Sequence, residues 1–173
     1  MKTAAVAVAV ILAGGTTAIV VNHHRTHSLI FSWTRELSDS DNARFVRLTG
    51  TAPEQAARTF LEACGREDWT EAAKYQSPEF LKKHPAFSNT FTNIYAGLEI
   101  VSLGKPFKGR VSIAKVIALQ PEAGNQLKGR GDFDYPGVYV PYEIRLKDGP
   151  VKKWQLAIRC DNPEHRWYFD GGM

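Results

Sequence analysis

The chain has 173 residues, 43% hydrophobic and 23% charged, a globular balance that excludes a disordered tail or a low-complexity fibre as an account of the whole. One ordinary domain plus a short appendage fits this length, and a multidomain enzyme does not. Lys and Arg number 22 against 18 Asp and Glu, a net charge of +4 that favours anionic surfaces without demanding one.

From Ala4 to Val21 the chain carries no charge, behind the single positive Lys2. As a helix this run spans about 27 Å, just short of the roughly 30 Å of a hydrocarbon core. It reads as a signal-anchor or a signal peptide: Gly14-Gly15-Thr16-Thr17-Ala18 offers small residues for cleavage, while Ile19-Val20-Val21 prolongs the apolar run beyond such a cut. Lys2 and Arg25 nearly cancel under the positive-inside rule, so orientation rests on the short N-terminus staying inside. The membrane is thus an expected partner, with the rest of the chain outside the cytoplasm, periplasmic or extracellular. Residues 22–50 read as a juxtamembrane connector, polar at Asn22-His23-His24-Arg25-Thr26-His27 and again at Ser38-Asp39-Ser40-Asp41-Asn42. Leu29, Ile30, Phe31 and Trp33 between them suit a headgroup layer. Without a converging Cys or acid the three histidines read as a polar flank, and no metal or cofactor is expected.

The folded domain is expected over residues 51–173. Thr51 and Glu54 have capping-box spacing with Pro53 in the first turn, and Ala57, Phe60, Leu61 and Cys64 form one helical stripe ending at Gly65, where a left-handed cap is expected. Thr70 is expected to cap a short helix running to Tyr75. Ser77-Pro78-Glu79 opens another turn or two, and Phe87, Phe91, Ile94, Tyr95 and Leu98 repeat the helical stripe.

Beyond Gly97 the period becomes two. Residues 98–103 and 111–119 read as strands, and 120–137 as a long polar, Gly-rich loop whose Arg130-Gly131-Asp132 is a flexible tip rather than an adhesion ligand. Val138, Val140, Tyr142, Ile144 and Leu146 alternate with polar positions, as do Trp154, Leu156, Ile158 and Cys160. A two-residue turn between these strands would set Ile144 against Lys153, so the loop length must be odd. A three-residue loop, Asp148-Gly149-Pro150, pairs Ile144 with Trp154 and Tyr142 with Leu156. A four-residue loop, 162–165, then sets Trp167 opposite Cys160 and Phe169 opposite Ile158. The opposite face, bearing Tyr139, Glu143, Arg145, Gln155, Ala157 and Arg159, reads as wet, which predicts a monomer or weak homodimer.

The capped helix Pro53-Glu54-Gln55-Ala56-Ala57-Arg58-Thr59-Phe60-Leu61-Glu62-Ala63-Cys64-Gly65-Arg66-Glu67-Asp68-Trp69, further helices, and a strand meander closing on Arg166-Trp167-Tyr168-Phe169-Asp170-Gly171-Gly172 together resemble the NTF2-like (SnoaL-like, cystatin-like cone) superfamily. The resemblance implies an α+β fold, N-terminal helices packed in a strongly curved antiparallel sheet, here preceded by one N-terminal hydrophobic helix. Superfamily members include isomerases, dehydratases, transport adaptors and envelope assembly parts, so membership alone does not name a function. Inner-membrane assembly components of type IV secretion systems share the plan of one span followed by such a domain.

Enzymatic members place a carboxylate or a His-Asp pair inside the cone. Here Glu143 and Asp170 fall in the opposite phase to Tyr142 and Trp167, and no catalytic residue is assigned. Tyr75 reads as a packing residue, and His84 and His165 as solvated loop residues. Tyr95, Tyr142, Trp154 and Trp167 are the candidate ligand-binding residues. Cys64 and Cys160 both face the predicted core, as two thiols or as one disulfide. Basic residues such as Lys82, Lys128 and Arg166 are scattered, and with export predicted no nucleic-acid partner is expected. The sequence predicts a membrane-tethered domain, more binding module than enzyme, that holds a small apolar ligand or an envelope protein partner. The alternative is a small isomerase or lyase using the cone pocket.

Overall fold

Residues 31–49, expected from the sequence to be connector, fold instead as a strand, β1 (Phe31–Glu36), and a helix, α1 (Asp39–Thr49). The polar run 38–42 is a helix start: the Ser38 side chain accepts from the Asp41 amide, and the Asp41 carboxylate accepts from the Ser38 amide. Arg35 donates to Asp41 at 2.8 Å, and this bond, with those from Ser38, holds the Asp41 carboxyl well below the usual carboxylate range. Gly50 closes α1 in the left-handed region, at φ +79°. Phe31, placed by the sequence at a headgroup layer, is buried in edge contact with Phe107 and Tyr139, whereas Trp33 is 43% exposed.

The computed structural model describes residues 30–85, 95–121, 124–147 and 149–170. After α1 come α2 (Pro53–Gly65), α3 (Trp69–Ala73) and α4 (Pro78–Lys83), then β2 (Glu99–Leu103), β3 (Phe107–Val111), α5 (Ile113–Leu119) and α6 (Gly124–Leu127). The chain ends in β4 (Phe133–Asp134), β5 (Val138–Arg145), β6 (Val151–Arg159) and β7 (Tyr168–Phe169). The N-terminal apolar run lies outside the described residues, as do the three histidines and Phe87, Phe91 and Ile94.

The stripe of α2 is buried as expected, with Ala56 and Ala63 added to Ala57, Phe60, Leu61 and Cys64. Its ends differ from expectation. The N-cap is Ala52, with no side-chain cap bond, and the Thr51 carbonyl instead accepts the Trp167 indole N–H at 2.9 Å. Gly65 is not left-handed; Glu67 takes that conformation, at φ 59°. What Gly65 provides is close approach, because a Cβ there would lie 2.6 Å from the Leu98 carbonyl oxygen. Asp68 rather than Thr70 caps α3, accepting from the Glu71 amide, while Ser77 caps α4 as its position predicts.

The architecture is α+β, with seven antiparallel strands among the described residues in the order β1-β3-β5-β6-β7, β2 pairing also with β5 and β4 with β3. One edge of β5 is thus shared by two partners: Phe107 of β3 meets Tyr139, and β2 runs along Tyr142–Arg145. Pro141 sits where these partners hand over, its carbonyl accepting from Gly104 at 2.9 Å. A residue's N–H and C=O point to the same edge, so the donor that proline lacks faces the break between β2 and β3.

Residues 113–119 are a helix, not the strand expected over 111–119. Ile113, Val116 and Ile117 have i, i+3, i+4 spacing, which a short segment rich in β-branched residues hides, and the Asp132 carboxylate accepts the Ile113 amide at 2.9 Å. Asp132 of the Arg-Gly-Asp tripeptide is therefore engaged as a cap. The β5–β6 loop is odd in length, as parity requires, but spans five residues, 146–150. Tyr142 pairs with Trp154 and Ile144 with Lys152, a two-residue slip from the expected register. Phe169 stands opposite Ile158, as expected.

The sheet is buried on both faces, which corrects the wet surface expected on one of them. On the first, Phe60 and Leu61 of α2 share one core with Val138, Val140, Leu156, Ile158 and Phe169. On the second, Tyr139 and Ala157 are each 5% exposed and Gln155 1%. Phe31, Phe107, Val111 and Ile113 form a core with Tyr139 and Ala157, against which Val116, Ile117, Leu127 and Tyr135 pack. The stretch expected to be a loop thus contributes to a second core. Only the ends of that face stay wet, with Glu143 paired to Lys153 and Arg145 to Glu99.

Gly137 enters β5 so close to β6 that a Cβ would overlap the Ile158 carbonyl oxygen. Gly137→Ala is expected to cost about 2 kcal/mol or more in urea unfolding, as backbone must shift. Gly131→Ala, with nothing within 4 Å of its Cβ, is expected to stay within about 0.5 kcal/mol of the parent.

Candidate functional site

At the hairpin end of β5 and β6 the first face of the sheet opens into a cavity of about 520 Å³. The strand period places Tyr142, Ile144 and Leu146 on its wall from one side, and the register brings Trp154 and Lys152 opposite them. Tyr95, just before β2, and Lys153 complete it. Three of the four aromatic residues singled out from the sequence, Tyr95, Tyr142 and Trp154, therefore line one cavity.

The Tyr95 and Tyr142 phenols face one another, with the Tyr95 hydroxyl as donor toward that of Tyr142. Burial raises both phenols: Tyr95 well above the ordinary tyrosine range, and Tyr142 up to about 12, its bond to Tyr95 offsetting part of the rise. Burial likewise pushes the nearby Cys64 thiol up to about 12, so it is no thiolate nucleophile near neutral pH. Ile144, Leu146 and Trp154 make the wall apolar. No carboxylate or imidazole is among the described lining residues. Such a site can enclose an apolar body and offer a phenol hydrogen bond.

Trp167 is elsewhere. Its indole bonds to Thr51 and its ring lies 5.1 Å from Phe45, beside a smaller hollow of about 160 Å³ formed with Thr49, Lys74, Tyr75 and Arg166. Tyr75 packs on Phe60 and Phe169. His84 lies against Phe80, and His165 occupies a left-handed turn. Cys64 and Cys160 are separate, buried free thiols. Asp170 is bound by Arg159, which also grips Asp161 and is raised by those two bonds. Among the described residues no group of three or more His, Cys, Asp or Glu converges as a metal site.

Sequence reasoning missed Ile144, Leu146, Lys152 and Lys153 as lining residues. Ile144 and Leu146 share the phase of Tyr142, whereas the place of Lys152 opposite Ile144 follows from the two-residue slip of the hairpin, for which the alternation of β5 and β6 carries no signal.

Compared with models of known families, with curated proteins and with solved structures, the chain matches none. No helix among the described residues is long and apolar enough to cross a membrane, and the run from Ala4 to Val21 lies outside them.

The raised phenol of Tyr142 sets an alkaline limit. Its contribution to stability is fully present below the unfolded tyrosine pKa of about 10 and is lost as pH rises through about 12, because the unfolded chain ionises first. Tyr142→Phe is expected to lower stability by about 1 kcal/mol at neutral pH through the lost hydrogen bond. Between about pH 10 and 12 its stability should fall less steeply than the parent's, by up to roughly 1.4 kcal/mol per pH unit. Urea unfolding of both proteins across that range measures the difference, and parallel curves would place Tyr142 in contact with water.

Proposed function

We propose that this chain is an NTF2-like domain, held at a membrane by its N-terminal apolar segment with the folded part outside the cytoplasm, and that it binds a small apolar ligand in the β5–β6 cavity. The observation that carries the binding role is the cavity itself: several hundred Å³, walled by Ile144, Leu146 and Trp154, with its two phenols paired to each other. Ligand pockets have this size and this ratio of apolar wall to placed polar groups. The helix α2 lying on an antiparallel sheet, the Asp68-Trp69 turn after it and the closing strand after Trp167 support the family reading. The uncharged run from Ala4 to Val21 supports the tether.

A binding role is favoured over an isomerase or lyase because the described residues of the cavity wall offer Tyr142 as a hydrogen-bond donor but neither carboxylate nor imidazole as a base. The second core supports a monomer, since Ile113, Val116, Ile117, Leu127 and Tyr135 pack on the sheet face through which a copy would dock.

The test uses the full chain in phosphatidylcholine nanodiscs, the Trp154 indole N–H resonance being assigned by Trp154→Phe. Titration with dodecanol, a neutral apolar probe, should shift that resonance saturably and leave the Trp33 and Trp167 indoles in place. Leu146→Trp, which fills the cavity from a partly exposed position, should abolish the shift. Equal shifts at all indoles, or a shift that survives Leu146→Trp, would remove the cavity as the binding site.

A further inference from the structure

The charges around the cavity specify its ligand further, given the binding role proposed above. Lys152 stands directly opposite Ile144 on the face that carries Tyr142 and Trp154, with its side chain at the solvent-exposed rim. Its neighbours are committed: Lys153 is paired with Glu143 at 2.7 Å, and Arg145 with Glu99 at 2.9 Å. Lys152 has no ion-pair partner among the described residues, and no acid is among the described residues that line the cavity. Among the described residues, one ammonium therefore faces the mouth with no carboxylate to balance it.

The interior has the opposite character. Among the described lining residues the hydroxyls are those of Tyr95 and Tyr142, which bond to one another, so an alkyl chain alongside them leaves that bond in place.

We propose that the cavity takes a single-chain carboxylate amphiphile, with the apolar tail along Ile144, Leu146 and Trp154 and the carboxylate at the rim on Lys152. A monoanion fits better than a phosphate monoester, whose second charge would call for a second cation where Lys153 is already held by Glu143. The lysine stem can lie over the apolar wall while its head stays in water, so it meets the carboxylate without being buried itself.

The full chain in phosphatidylcholine nanodiscs is titrated with dodecanoate, its neutral methyl ester and dodecyl phosphate. Affinity is read at the Trp154 indole resonance and corrected for partition into empty nanodiscs. Dodecanoate should bind roughly three- to five-fold more tightly than the ester, the range of a solvent-exposed ion pair. Lys152→Met should remove that difference, and Lys152→Arg should restore it. Equal affinities for acid and ester in the parent, no effect of Lys152→Met, or tighter binding of dodecyl phosphate would each overturn the carboxylate assignment and leave the apolar cavity standing. A Trp154 resonance that none of the three compounds moves would overturn the binding role and this inference together.

Discussion

The structure depends on the position of β5. All eight of its residues pair with β6 on one edge, β3 at Tyr139 and β2 along Tyr142–Arg145 share the other, and both of its faces are covered except near its end. Val138, Val140, Tyr142 and Ile144 point into the first core, while Tyr139 points into the second. A strand so enclosed must satisfy every backbone group within the sheet, and its single proline is tolerated because it faces the handover from β2 to β3. The glycines at 104 and 137 mark where neighbouring backbone or ring atoms approach too closely for a side chain.

From that constraint the cavity follows. At the start of β5 the first face is filled by Phe60, Leu61, Leu156 and Phe169. At its end the face passes from Tyr142 to Ile144 and Leu146, and the β6 partners change from Leu156 to Trp154 and then Lys152. Core chemistry thus turns into rim chemistry within two residue pairs. The same register that leaves space between Tyr142 and Trp154 brings a lysine to its mouth, so the apolar wall and the cation are consequences of one pairing.

Much of the fold was legible because local periodicity is a physical signal. The stripe of α2, the Ser77 cap, the odd β5–β6 loop and the opposition of Phe169 and Ile158 all follow from periods of 3.6 and 2. A slip of two residues preserves that parity, so nothing in the alternation distinguished Trp154 from Lys152 as the partner of Ile144. The helix α5 was missed because a seven-residue, mostly apolar segment broken only by Lys115 satisfies strand and helix alike. The burial of Tyr139, Gln155 and Ala157 was missed because neighbouring Glu143, Arg145 and Arg159 made that face look solvated, and its cover comes from distant β1 and α5. Of the candidate site, Tyr95, Tyr142 and Trp154 were found by phase alone. Trp167 shares their phase but lies on the far side of α2's start, where it bonds to Thr51.

The pairing of β5 with β6 is the claim on which cavity and ligand both rest, and cross-strand nuclear Overhauser effects in the labelled full chain test it most directly. The account predicts cross-peaks linking Tyr142 with Trp154 and Ile144 with Lys152. Cross-peaks linking Ile144 with Trp154 and Tyr142 with Leu156 would instead establish the shorter hairpin, remove Lys152 from the cavity mouth and contradict the account.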